Sequence, residues 1–119
     1  MSTVYVWRYE DSWGSGPYRG PVTAILADES TERHPMAYRE IAGHAQCSEN
    51  LRDLYASQRS GFLTPRQAKE WFCWRERRRM REHGFYLTRY LVPADAVIAT
   101  PTQCLFRPLA AIAVKRYAC

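Results

Sequence analysis

The sequence predicts an α+β fold, with a mostly antiparallel, split sheet, a long central helix and short helices beside it. Three observations predict this. Runs of branched and aromatic residues with strand character occupy both ends of the chain. Between them, residues 65–83 form a capped stretch with helical periodicity. The 119 residues are 46% hydrophobic and 24% charged, which suits a single domain over 1–119 with its own core and excludes disorder over most of the length.

Residues 4–9, Val-Tyr-Val-Trp-Arg-Tyr, open the domain as a strand. Alternation places Tyr5, Trp7 and Tyr9 on one face and Val4, Val6 and Arg8 on the other. An arginine on the valine side is either paired or turned to a cleft, or it extends its charged end to water. Residues 11–21 are turn material, broken by Gly14, Gly16, Pro17, Gly20 and Pro21. They also carry Trp13, Tyr18 and Arg19, a composition that suits a loop closing over a ligand. Residues 22–27 are a short apolar segment, and 30–36 a polar loop containing His34-Pro35. Short helices are expected at 37–45 and 48–57, the second capped by Ser48.

The chain then runs through a short strand, Gly61-Phe62-Leu63, directly into the long helix. Thr64 is its N-cap, Pro65 fits the first helical position, and Gly84 stops it. Ala68, Trp71, Phe72 and Met80 fall on its core-facing side, and the donors at its start suit an anion. The last third reads as strands at 85–92, 97–98, 102–107 and 110–116, with a turn at Pro93-Ala94-Asp95. Ile112 and Val114 give the final strand an apolar face.

The formal net charge is +5 and the pI about 9.2, which favours acidic partners: nucleic acid, a nucleotide or an acidic protein face. Lys69 and Lys115 are the only lysines, so arginine carries the charge. Arginine suits bidentate contacts to phosphate or carboxylate, although GC-rich coding produces the same bias. The densest cations, Arg75, Arg77, Arg78, Arg79 and Arg81, follow Trp74 on the central helix. Such a run is either a solvated helix face or a binding face, and its position also complements the helix dipole.

The cysteines at 47, 73, 104 and 119 form no Cys-x-x-Cys pair, and no signal-peptide pattern precedes them. Reduced thiols in a cytoplasmic protein are the expectation. His44 and Cys47 have metal-like spacing without a second pair, so no metal site is expected. Cys73 lies among arginines that can lower a thiol pKa, although most cysteines of this kind are packing residues. No apolar run approaches the length of a membrane span.

Trp7-Arg8-Tyr9-Glu10, Gly16-Pro17-Tyr18-Arg19, His34-Pro35 and Gly61-Phe62-x-Thr64 leading to Trp71-Phe72 resemble, in that order, a group of small phage and prophage proteins. The same order is similar to the ADP-ribosyltransferase fold. That resemblance implies a first-strand arginine holding NAD, matched by Arg8, and a strand end entering a helix beside the nicotinamide, matched by Phe62-x-Thr64. It implies a glutamate on a late strand, where this chain has Gln103. Arg8, Thr64 and Gln103 are thus the catalytic positions by resemblance. Arg8, Tyr18, Phe62 and Thr64 are the cofactor-binding ones, for NAD or ADP-ribose. A neutral amide keeps a hydrogen bond but loses the charge that stabilises a cation-like ribose.

Three functions compete on these residues. The phage resemblance suggests a host-defence antagonist, anti-CRISPR-like, that binds a host protein complex or a nucleotide, with Trp74, Arg75, Arg77, Arg78 and Arg81 as its partner face. Trp71 on the same helix reads better as core. The second is an active NAD-dependent ADP-ribosyltransferase modifying a host protein. The third is a nucleic-acid-binding protein using the basic helix face, although no recognised DNA- or RNA-binding motif is present.

Overall fold

The computed structural model describes residues 2–16 and 58–119. Among them the order is β1 (Thr3–Glu10), β2 (Arg59–Gly61), α1 (Pro65–Trp71), α2 (Trp74–Glu82), β3 (Tyr86–Pro93), β4 (Val97–Ala99), β5 (Cys104–Phe106) and β6 (Ile112–Ala118). Single 3-10 turns at Ala94–Ala96 and Pro108–Ala110 join the later strands. The segment expected at 22–27, the helices expected at 37–45 and 48–57, and the His34-Pro35 loop lie outside the described residues.

The strands form two antiparallel three-stranded sheets, ordered β1-β3-β6 and β2-β5-β4. They meet where Trp7 and Phe62 exchange backbone hydrogen bonds of 2.7 Å in each direction. The register Val6↔Tyr90 and Arg8↔Thr88 places Val4, Val6, Arg8 and Glu10 on one face of the first sheet with Thr88, Tyr90 and Val92. That face packs its valines against Ala96 of the 3-10 turn and against Cys104 and Phe106 of the second sheet. On the opposite face Tyr9 and Leu87 join Phe62, Ala68, Trp71, Phe72, Met80 and Phe85, which the two helices contribute or flank. Burying side chains of this size supplies about 1.5–3 kcal/mol each.

The expected long central helix does not form, and with it the ADP-ribosyltransferase-like α+β arrangement is corrected. The chain makes a small β-rich domain with two short helices among its described residues. The break falls at Phe72 and Cys73, both extended (φ −108°, ψ 128° and φ −69°, ψ 168°). Extension turns Phe72 onto Tyr9, ring centroids 5.3 Å apart in an edge-to-face contact. Glu76 then restarts the helix by accepting the Cys73 N–H at 2.8 Å. The two ends of the expected helix are nonetheless placed by their capping chemistry. Thr64 accepts the Gln67 N–H at 3.0 Å, with Pro65 following.

At the other end, Phe85 N–H bonds the Met80 carbonyl and Gly84 N–H the Arg81 carbonyl, the paired bonds of a Schellman motif. Gly84 sits at φ +81°, and no atom would meet a Cβ there within 4 Å. Gly84→Ala therefore isolates backbone strain, and a loss of about 1–2 kcal/mol is expected in urea unfolding.

Smaller corrections concern the last strands. Gln103 is not on a strand: it closes a turn in which Thr100 N–H bonds its carbonyl at 2.8 Å. Ile112 and Val114 do not form a buried face. Ile112 is 67% exposed, and the β3–β6 register shifts between Arg89 and Tyr90, leaving Val114 as the extra residue of a bulge.

Candidate functional site

Two groups of residues carry the expected chemistry: a buried polar cluster at the junction of the sheets, and the outward side of α2.

The cluster is built on β1. Strand alternation puts Arg8 and Glu10 on the same face two residues apart, and the guanidinium Nε donates to a Glu10 carboxylate oxygen at 3.2 Å. Arg8 Nη1 donates to the Ser60 carbonyl on β2 at 2.7 Å. Arg8 Nη2 lies 3.5 Å from the Gly14 carbonyl, and a Cβ on Gly16 would come within 2.9 Å of that nitrogen. The Tyr90 hydroxyl donates to the other Glu10 oxygen. The loop that covers the cluster is folded by Asp11, whose carboxylate accepts the N–H groups of Trp13 and Ser15 at 2.9 Å each.

Electrostatics follow from burial. Desolvation pulls the Arg8 guanidinium below its ordinary value while Glu10 opposes the shift, and the group remains a cation. The Tyr90 hydroxyl is pushed up to about 12, chiefly by burial and then by its bond to Glu10. Arg8, Glu10, Ser60 and Tyr90 thus form a closed network that ties the first sheet to the second. Of the alternatives for Arg8, the structure selects pairing. Thr88, on the same face, has a buried hydroxyl without a partner.

The other residues expected around a nucleotide are placed as follows. Phe62 packs its ring on Trp71, centroids 5.4 Å apart, and belongs to the helix-side core. Thr64 is exposed and engaged as the α1 cap. Gln103 is buried at the turn before β5. The structure thus joins Arg8 to Ser60 and the loop at Gly14, and gives Phe62, Thr64 and Gln103 separate local partners. Tyr18 lies outside the described residues. Glu10 is the residue that sequence reasoning missed as the partner of Arg8; its signal was the i, i+2 spacing on a strand.

On α2, Glu76 and Met80 are buried and anchor the helix. Trp74 is 60% exposed, with the Arg75 guanidinium 5.5 Å from its ring centroid. Arg78, Arg79 and Arg81 are exposed, and Arg78 pairs with Glu82 at 3.2 Å. Arg77 is only half-exposed, and its charge acts on Tyr9 and Cys119 toward the core. Burial pushes the Cys104 thiol up to about 12 and the Cys119 thiol to about 11, so neither is a thiolate at neutral pH. No helix among the described residues is long and apolar enough to cross a membrane, and no group of side chains among them could hold a metal ion.

The bacteriophage T4 Y00F protein family matches over residues 1–119. The chain belongs to that family. It is a phage protein, in agreement with the resemblance carried by the short motifs. Trp7-Arg8-Tyr9-Glu10 lies on β1 and Gly61-Phe62-x-Thr64 runs from the end of β2 to the start of α1, while Pro17-Tyr18-Arg19 and His34-Pro35 lie outside the described residues. No curated protein and no solved structure matches the chain. In this Y00F-family protein the Trp-Arg-Tyr-Glu segment supplies the junction network. The Gly-Phe-x-Thr segment supplies the strand crossing and the helix cap.

Proposed function

We propose that this phage protein is a non-catalytic host-defence antagonist, anti-CRISPR-like, that binds a host protein complex through the outward side of α2. The observation that carries the reading is Trp74, a large aromatic left in water, with a guanidinium stacked on it and further arginines along the same short helix. Tryptophan and arginine are the residue types enriched in binding hot spots. A net charge of +5 favours an acidic partner surface and speeds its capture.

The engagement of Arg8 supports binding over ADP-ribosyl transfer. A guanidinium held by Glu10 and the Ser60 carbonyl must give up those bonds before it can hold a dinucleotide phosphate. Gln103, where the ADP-ribosyltransferase resemblance implies a glutamate, weighs the same way.

The test is plating efficiency. Cells with active CRISPR immunity should admit a targeted phage when they express this protein, and lose that effect with Arg75→Glu, Arg78→Glu and Arg81→Glu combined. All three positions are exposed, so the triple variant is expected to unfold at the same urea concentration as the parent. Unchanged plating with the parent protein defeats the anti-CRISPR reading, and undiminished activity of the folded triple variant removes α2 from the interface.

A further inference from the structure

The first sheet has a second surface, independent of α2, that the expected functions do not use. Among the described residues, its helix-side face is covered at one end only. The row Tyr9–Leu87–Tyr117 lies at the helices, with Tyr9 and Leu87 buried. Beyond it come the rows Trp7–Arg89–Lys115 and Tyr5–Leu91–Ile112, in which Tyr5, Lys115 and Ile112 are exposed.

Aromatic rings and cations alternate across this open half. The Tyr5 ring meets Trp7 edge-on at 5.8 Å. The Arg89 guanidinium lies 4.6 Å from the Tyr5 centroid and 5.9 Å from that of Tyr117. Lys115 Nζ lies 5.1 Å from the Tyr117 centroid. The rings thus hold both cations in place, and Arg89 Nε is buried without a hydrogen-bond partner. Among the described ion pairs, none involves Arg89 or Lys115. The only carboxylate on the three strands is Glu10, which is buried on the opposite face. Here α2 differs, since Glu82 neutralises Arg78.

We infer that the open half of this sheet binds single-stranded DNA, with a base on the exposed Tyr5 ring and phosphates at Arg89 and Lys115. Several features favour this occupant. Positive charge without a counter-ion among the described residues complements a phosphate backbone, and flat rings flanked by cations suit unpaired bases, whose stacking tolerates any sequence. A duplex keeps its bases stacked inside and gives Tyr5 nothing to stack on. Beyond the cations, the open rows carry few neutral hydrogen-bonding groups with which to select a ribose hydroxyl.

The experiment is fluorescence anisotropy of a labelled oligothymidylate at low salt, with the full chain. Saturable binding is expected, weakened about tenfold by Tyr5→Ala and again by Lys115→Glu. The dependence of log affinity on log salt should have a slope of about −1.4, that of two phosphate contacts to a single strand. The Arg75, Arg78 and Arg81 reversal on α2 should leave binding within about twofold, which separates this surface from the helix. Both sheet substitutions are at exposed positions, and circular dichroism verifies that each variant is folded. Absence of oligothymidylate binding overturns the inference. So does undiminished binding by both folded variants, or tighter binding of duplex DNA, oligouridylate or an acidic peptide.

Discussion

Replacing Glu10 with alanine is expected to destabilise the protein by about 3–5 kcal/mol, the cost of leaving a buried charge without its partner. Glu10 is 2% exposed and accepts from both Arg8 and Tyr90. Its removal leaves the buried Arg8 cation and the part-buried Tyr90 hydroxyl without their partner. Urea unfolding measures the loss as a fall in midpoint. Glu10→Gln should cost less, because the amide oxygen still accepts one hydrogen bond. The double variant Arg8→Met with Glu10→Leu should recover much of the stability, since matched apolar residues replace a buried ion pair at little net cost. A Glu10→Ala variant within about 1 kcal/mol of the parent would mean that the network does not tie the sheets together.

Phe72→Ala is expected to cost a comparable amount, about 3–5 kcal/mol, through lost burial and the cavity that remains. Phe72 is 2% exposed and sits where the chain is extended between the helices. Its ring fills the space over Tyr9 and fixes the direction in which α2 departs. The variant should show a lower urea midpoint and a weaker near-ultraviolet signal from the aromatic core. A cost near that of a surface substitution, within about 0.5 kcal/mol, would place Phe72 outside the core.

These two residues also show what the sequence reveals and what it hides. The ends of the helical region were legible because Thr64, Pro65 and Gly84 act through local capping chemistry. The break between α1 and α2 was not. Ala68, Trp71, Phe72, Glu76 and Met80 keep helical spacing straight through it, and all five are buried. A periodicity argument cannot see that Phe72 reaches its site from an extended backbone. The one local sign, Glu76 three residues after Cys73, lacks the usual hydroxyl at the cap.

The same holds at the candidate site. An arginine on the valine side left pairing, a cleft and an escape to water all open for Arg8. Which partner it takes depends on β2 and the Asp11 loop, brought together by tertiary structure. Ile112 and Val114 read as a core face because alternation takes no account of a bulge or of what lies opposite a strand. The open sheet face was invisible for a related reason. Tyr5, Arg89 and Lys115 are far apart in sequence, and only the register sets them side by side.

In the proposed function Arg8 belongs to the framework and binding uses outward surfaces. Calorimetric titration of the parent protein and of Arg8→Met with NAD and with ADP-ribose tests this most directly. No saturable heat is expected with either ligand, for either protein. Saturable binding to the parent that disappears in a folded Arg8→Met variant would contradict it, and would return Arg8 to a nucleotide pocket.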